Sequence, residues 1–237
     1  MTIIGFFLHY LLKFYYFCRN FFECMERLKR LGVIPVNKDI FYSLYNDLKF
    51  PENKIADLER NGLIIRIKRN LYVVSQKVHH QEISTELVAN HLYGPSYVSL
   101  ETALAYYGLI PERVYSIRSA CMTMRKLYET PFGQFEYIKM PSQYFQIGVN
   151  QKNIDNSYCF LIASPEKALC DLILYTNHLR LQSVKAMNEY LEEDLRFETS
   201  ALNSFRLDIV EECRKYGRKK TELTQLLKLL SNGKSYF

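Results

Sequence analysis

The sequence predicts an α+β protein of two domains: a small N-terminal domain, then a larger one with a small sheet and C-terminal helices. At 237 residues, 48% of them hydrophobic, the chain is large and apolar enough to bury two cores. Three short helical patterns and a hairpin pattern occupy residues 25–78. Alternating strand patterns followed by helical patterns occupy residues 79–237.

Residues 1–24 precede these domains as an uncertain extension. The segment is apolar and aromatic, but His9 and Lys13 interrupt it before it reaches the ~20 apolar residues that a membrane-spanning helix needs. It has neither a basic start nor a small-residue cleavage site, so it fits a signal peptide poorly. Three interpretations stay open: a weak membrane anchor, an additional helix, or an over-extended translation start with Met25 as the true first residue.

The first domain opens with apolar residues at helical spacing. The second helical pattern follows Asn37, a good N-cap, and we expect its stripe of Ile40, Leu44 and Leu48 to face the core.

The third helix of this domain is the most informative one. Pro51 suits its first turn, and Ile55 and Leu58 line its apolar face. The opposite face carries side chains of the kinds that contact base edges and phosphates. They are Asn53, Asp57 and Arg60, with Lys54 on the flank.

A basic hairpin is predicted next, within the stretch RNGLIIRIKRNLYVVS at residues 60–75. Asn70 tolerates a positive φ, so Arg69 and Asn70 can form the tight turn. By strand alternation, Arg66 and Lys68 share one face, with Arg69 at the tip. Three short helices followed by such a hairpin are the order of a winged helix-turn-helix, whose third helix enters the DNA major groove. A hairpin used only for protein contacts is the alternative.

The net charge of +6 is concentrated in this first domain. Residues 25–78 contain eleven Lys or Arg and six Asp or Glu, whereas residues 79–237 contain eighteen of each. A charge excess confined to a small segment is typical of a surface that binds a polyanion. We therefore expect the first domain to bind double-stranded DNA and the neutral second domain to act on something else.

Residue spacing predicts neither a metal site nor an enzyme. The six Cys form no C-x-x-C pair, so we expect reduced thiols in a cytoplasmic protein without metal or other cofactor. No phosphate-binding loop, zinc-protease motif or nucleophile elbow occurs. Glu136 and Lys139 are three apart, which does not place them on one strand face as a nuclease site requires. A DNA-binding nuclease and a membrane-anchored regulatory interaction protein remain the alternatives to a non-enzymatic regulator.

The second domain mixes helix and strand signals. An amphipathic helix is predicted from His79 through His91. Strand patterns follow in SIRSACMTM, YFQIGV and YCFLIA, with a hairpin that turns at residues 131–133. Ser164 as N-cap and Pro165 in the first turn then start a helix that is apolar nearly all round and therefore buried.

Four stretches, in this order, resemble the AbiEi-type antitoxins of type IV toxin–antitoxin (abortive infection) systems: RNGLIIRIKRNLYVVS, SYVSLETALAYYGLIPE, TPFGQFEY and FLIASPEKALCDLI. The resemblance covers about Met25 to Leu230, and its specific runs are S-x-E-x-A-L-x-x-Y-G-L-I-P and S-P-E-K-A-L-x-D. The family hairpin usually has Gly where this chain has Asn70. The family has no counterpart for residues 1–24.

The resemblance implies a first domain that represses its own operon and a second that neutralises a nucleotidyltransferase-like toxin without forming a stable complex. We expect no catalytic residue and no small-molecule substrate. Most residues of the two specific runs must be scaffold. The best candidates among them to reach the surface are Tyr106, Tyr107, Glu166 and Lys167, although a purely structural role for each is the favoured alternative. We expect Asp171 on an amphipathic helix face.

Overall fold

The structure is a computed structural model that describes Arg19 and residues 21–111 and 115–234. The chain divides into two compact units, one ending at Ser84 and one beginning at Thr85. It is a mixed α/β protein with a three-stranded sheet in the first unit and a six-stranded sheet in the second. Most of the predicted extension, residues 1–18 and 20, lies outside the described residues.

Short helices surround a small antiparallel sheet in the first unit. In chain order its described elements are α1 (residues 21–29), β1 (Val36–Asn37), α2 (Lys38–Leu44), α3 (Pro51–Arg60), β2 (Ile64–Lys68), β3 (Leu71–Val74) and α4 (Gln76–His79). The strand order is β1-β3-β2, so the central strand is β3.

The core of this unit joins all three of its longer helices to the sheet. Leu28, Phe41, Ile55 and Leu58 are buried in one hydrophobic cluster with Tyr72 of β3. The rings of Phe41 and Tyr72 meet edge to face, with 5.9 Å between their centroids. The prediction that Ile55 and Leu58 form the buried face of α3 is confirmed.

The predicted apolar stripe of α2 is wrong at two of its three positions, since only Leu44 packs, partly buried, against the core. Ile40 and Leu48 are 44% and 40% exposed, whereas Phe41 and Tyr45 are buried. The helix ends at Leu44 after seven residues, so helical spacing does not extend to Leu48. In so short a helix, the position that meets the sheet decides which side chain is buried, and the larger aromatic side chain fills it.

The hairpin is confirmed, with one difference in register. The strands β2 and β3 pair in antiparallel fashion around a turn in which Asn70 has a φ of 64°. The register shifts between Arg66 and Lys68, because Arg66 lies opposite Tyr72 while Lys68 lies opposite Leu71. This bulge interrupts the alternation that was expected to place both cations on one face.

The prediction of one helix from His79 to His91 is also wrong. The short helix α4 ends at His79, and His80 has a φ of 60°, which a right-handed helix does not allow. Ser75 caps α4 by accepting a hydrogen bond from the Lys77 N–H. The next helix begins only at Thr85, in the second unit.

A mixed six-stranded sheet organises the second unit. The described elements are α5 (Thr85–Leu92), β4 (Ser96–Val98), α6 (Leu100–Tyr106), β5 (Ser116–Cys121), β6 (Lys126–Thr130), β7 (Gly133–Lys139), α7 (Ser142–Phe145), β8 (Val149–Ile154), β9 (Tyr158–Ala163), α8 (Pro165–Tyr175), α9 (Val184–Glu189), a π-helical turn (Tyr190–Asp194), a 3₁₀ helix (Thr199–Ser204), α10 (Leu207–Tyr216) and α11 (Lys220–Lys234). The strand order is β6-β7-β5-β4-β9-β8. The pairs β5–β7 and β4–β9 are parallel and the others are antiparallel.

The helix α8 is the central helix of this unit. Every residue from Glu166 to Leu174 is buried, which confirms the prediction of a buried helix. Ser164 caps it, because its hydroxyl accepts a hydrogen bond from the Lys167 N–H at 3.3 Å. The stretch YFQIGV differs from its predicted strand, since its first residues belong to α7 and β8 begins at Val149.

Candidate nucleic-acid interface and the buried polar network

The exposed face of α3 carries the predicted polar side chains. Asn53, Asp57 and Arg60 are exposed, opposite the buried Ile55 and Leu58. The helix places them there because residues three and four apart share a face.

Arg60 is held only loosely on that face. Its guanidinium pairs with Asp57 at 2.8 Å, and the two side chains are 74% and 55% exposed. A solvent-exposed ion pair contributes only about 0–1 kcal/mol, so a phosphate or a base edge can replace Asp57 at little cost. Lys54 on the flank is half-buried, with its ammonium 5.9 Å from the centre of the Tyr45 ring.

Arg66 ties the hairpin to α3. It donates to the Glu59 carboxylate at 2.7 Å, and its guanidinium carbon lies 5.5 Å from the centre of the Tyr72 ring. The bond to Glu59 is the main cause of the raised pKa of Arg66. Glu59 immediately precedes Arg60 on α3, so this ion pair makes the polar helix face and the hairpin neighbouring parts of one surface.

The two remaining cations of the hairpin differ in exposure. Arg69 is exposed in the turn, whereas Lys68 is partly buried, and the loss of solvent lowers the pKa of Lys68. The predicted basic group therefore has one arginine at the tip, one arginine held against α3 and a lysine close to the core.

Arg27, by contrast, serves the internal structure of this unit. It donates to the Leu44 carbonyl at 3.0 Å and to the carboxylates of Asp47 and Glu23 at 2.7 Å each. Arg27, Asp47 and Glu23 line an open cleft of about 340 Å³, together with Cys24, Tyr45, Leu48 and Lys54. Two carboxylates oppose two cations there, so the cleft has no excess of positive charge for a nucleic acid.

In the second unit, the two predicted tyrosines lie at the end of α6. Tyr106 is 37% exposed and packs edge to face on Tyr107 and Phe160. The Tyr107 hydroxyl donates to the Ala163 carbonyl at 3.1 Å. Burial is the main cause that raises the pKa of Tyr107 to about 12. Of this pair, Tyr106 presents more of its ring to solvent.

The expectation that Glu166 and Lys167 reach the surface is wrong. The Glu166 carboxylate is buried and accepts a hydrogen bond from the Arg206 N–H at 2.9 Å, which fixes the start of α10. Lys167 and Asp171 are fully buried and form an ion pair of 3.0 Å, so Asp171 does not lie on an amphipathic face either.

This ion pair is the centre of a buried polar network. The Asp171 carboxylate also accepts from the hydroxyls of Tyr144 and Ser99 at 2.6 Å each and of Tyr97 at 3.1 Å. The Lys167 ammonium donates to the Tyr144 backbone carbonyl at 3.0 Å and lies 3.1 Å from the centre of the Tyr144 ring. Burial and the Asp171 charge raise the pKa values of Tyr97 and Tyr144.

The network joins distant parts of the second unit. Tyr97 belongs to β4, Ser99 precedes α6, Tyr144 belongs to α7, and the ion pair belongs to α8. Because every group is removed from solvent and satisfied, the arrangement acts as a structural clamp. The sequence contained one usable signal for it: a Lys and an Asp four residues apart inside an otherwise apolar helix.

Glu136, the acidic residue considered for a nuclease site, is held by two arginines. Its carboxylate accepts from Arg118 at 3.1 Å and from Arg125 at 2.5 Å.

Within the described residues, no group of three or more His, Cys, Asp or Glu side chains is arranged to hold a metal ion. In the same part of the chain, no helix combines the length and the apolar character needed to cross a membrane.

No protein-family model matches the chain, and no curated protein matches it.

Proposed function

We propose that the chain is the antitoxin of a type IV toxin–antitoxin system, with separate jobs for its two units. In this proposal the first unit is a winged helix-turn-helix that binds operator DNA and represses its own operon. The second unit neutralises a nucleotidyltransferase-like toxin in the cytoplasm, without a cofactor and without a stable complex.

The observation that carries the DNA-binding half is the surface formed by α3 and the hairpin. The polar face of α3 and the basic hairpin are joined by the Arg66–Glu59 ion pair, and this unit contains the charge excess. In the proposed complex, Asn53 and Arg60 contact base edges in the major groove. The proposed phosphate contacts come from Arg66, Lys68 and Arg69, for which Arg66 must exchange Glu59 for a phosphate.

The toxin-neutralising half rests on the resemblance of the two specific runs and on the separation of the chain into two units. The first run contains Tyr106, the more exposed of the two tyrosines and therefore the better candidate for a contact. The second run is buried, so in this proposal it supplies the scaffold on which the contact surface is built.

The test is a growth assay run beside a promoter–reporter assay, with the neighbouring toxin gene induced. The full chain with R66A, K68A and R69A should still rescue growth but should no longer repress the promoter. A matched variant with K126A, K152A and K185A removes the same charge from exposed positions of the second unit and should retain repression. Loss of rescue in the hairpin variant, at equal protein level, would mean that neutralisation depends on DNA binding and would refute the two-job proposal.

A further inference from the structure

The turn between α10 and α11 is strongly basic, although residues 79–237 carry no net charge overall. Residues 214–220 read RKYGRKK, with five cations in seven positions and no carboxylate. Residues 79–237 balance eighteen cations with eighteen carboxylates. Glu211 and Glu212 precede the run and the buried Glu222 follows it, while Glu192, Glu193 and Asp194 lie farther away in sequence, in the π-helical turn. A neutral total is therefore compatible with a local excess of positive charge at residues 214–220.

Three of these cations and the aromatic ring of Tyr216 are exposed. Lys215, Arg218 and Lys220 are exposed, and within the described residues none of the three pairs with a carboxylate. Tyr216 is 38% exposed, with the Lys215 ammonium 5.1 Å from the centre of its ring. Arg214 differs from them, because it forms an ion pair with Glu211 one turn earlier on α10.

Lys219, the remaining lysine of the run, fixes the turn to the end of α8 and to the segment after it. The Lys219 ammonium donates to the carbonyls of Ile173, Thr176 and Leu179 at 3.1, 2.7 and 3.2 Å. These carbonyls belong to the end of α8 and the segment after it, which otherwise lack helical partners. Lys219 thus serves the fold and leaves the other cations on a fixed support.

Gly217 shows how closely the turn packs. A Cβ atom added there would lie 2.5 Å from the Cys213 carbonyl oxygen and 3.0 Å from a methyl carbon of Leu174. Only glycine fits without a shift of the backbone, so the positions of Tyr216 and Arg218 are set by tight packing. A rigid support lowers the entropic cost of binding a ligand.

We propose that this turn binds single-stranded nucleic acid. Lys215, Arg218 and Lys220 contact successive phosphates, and the exposed ring of Tyr216 stacks on an unpaired base. Cations that follow a backbone, interleaved with an aromatic side chain, are the features by which proteins bind single strands without sequence preference. Duplex DNA keeps its bases paired and stacked, so it offers nothing to the ring. The residues of this site belong to the second unit, whereas α3 and the hairpin belong to the first.

The test uses the full chain carrying R66A, K68A and R69A, so that the hairpin does not obscure the result. The probes are fluorescent oligouridylate and oligothymidylate of about 12 nucleotides, which separate RNA from DNA, and a duplex of the same length. Fluorescence anisotropy across a salt series gives the affinity and its salt dependence. Variants are compared in this same background.

We expect both single strands to bind more tightly than the duplex. Adding K215A, R218A and K220A should weaken single-strand binding at least tenfold and reduce the log–log salt slope by about 2. Y216A should weaken binding about tenfold, while Y216F should stay within about twofold because it keeps the ring. The charge-preserving changes K215R, R218K and K220R should keep the affinity, which separates lost charge from lost folding.

The matched control is the K126A, K152A and K185A variant, which should bind as the parent does. The proposal is overturned if this control loses as much affinity as the turn variant. It is equally overturned if the duplex binds more tightly than the single strands, or if the parent binds no single strand. Promoter repression in the hairpin variant tests only the proposed operator binding. Failure of one proposal therefore does not imply failure of the other.

Discussion

The helices α3 and α8 are built from similar parts and use their charges in opposite ways. Each begins with proline at its first position, and each contains a Lys or Arg paired with an Asp on the same helix. The pair Arg60–Asp57 is 74% and 55% exposed, while the pair Lys167–Asp171 is completely buried.

Charged pairs three or four residues apart on a helix can therefore belong either to an exposed surface or to a buried scaffold. What separates the two helices is the character of the remaining positions. In α3 only Ile55 and Leu58 are buried, so the charged face is solvent-exposed. In α8 nearly every position is buried, so the ions need protein partners such as Tyr144 and Ser99.

Breaking the buried Lys167–Asp171 pair should cause the greatest loss of stability. Lys167→Met removes the cation and leaves the Asp171 carboxylate buried with hydroxyl partners only. We expect a loss of about 3–5 kcal/mol in the free energy of unfolding, since an uncompensated buried charge is strongly destabilising. Urea unfolding followed by circular dichroism measures it.

Lys185→Met is the control for that change. Lys185 pairs with Glu189 at 3.5 Å, also four residues apart, but the side chains are 85% and 50% exposed. A loss below about 0.5 kcal/mol is expected there. Equal losses in the two variants would remove the distinction between buried and exposed pairs.

The next effect concerns the exposed face of α3. Arg60→Ala should relax discrimination at particular base pairs by about 1–3 kcal/mol if its side chain contacts base edges. Binding to a set of operator duplexes with single base-pair changes measures this. Lys185→Ala should leave the pattern of discrimination intact, and a uniform loss across all duplexes for Arg60→Ala would place Arg60 on the phosphates instead.

The smallest effect is a protonation change at an exposed pair. The hydrogen bond from Arg27 holds the pKa of Asp47 below its ordinary value of 3.8. Because the folded-state pKa is lowered, the stabilisation is present above the ordinary value and is lost as pH falls through the folded-state pKa. Arg27→Met should therefore raise the pKa of Asp47, measured by NMR titration of its carboxyl carbon.

Asp208 supplies the internal control for that titration. Arg206 lowers the pKa of Asp208 in the same way, in the other unit. Arg27→Met should leave the titration of Asp208 unchanged. If Asp47 titrates identically with and without Arg27, the ion pair of the structure does not persist in solution.

Local patterns predicted the features of the fold that depend on near neighbours. Helical spacing gave the buried face of α3, and the tolerance of Asn70 for positive φ gave the hairpin turn. The burial of Phe41 in place of Ile40 could not be predicted, because it depends on contact with Tyr72, which is distant in sequence. The bulge beyond Arg66 depends likewise on pairing with β3.

The same limit applies to the buried network. Lys167 and Asp171 have the spacing of an ordinary surface pair, and their partners Tyr144 and Ser99 lie 23 and 72 residues away. The polar residues of α3 could be placed correctly because an exposed face needs no distant partner.

If the surface of α3 and the hairpin binds DNA, as we propose, its basic side chains should make binding depend on salt. The measurement is the affinity for the promoter region of the chain's own operon across a salt series. We predict that R66A, K68A and R69A together reduce the log–log salt slope by about 3, roughly one per lost phosphate contact. The K126A, K152A and K185A variant, with the same loss of charge, should keep the parent slope. An unchanged slope in the hairpin variant, or an equal reduction in both variants, would contradict the claim.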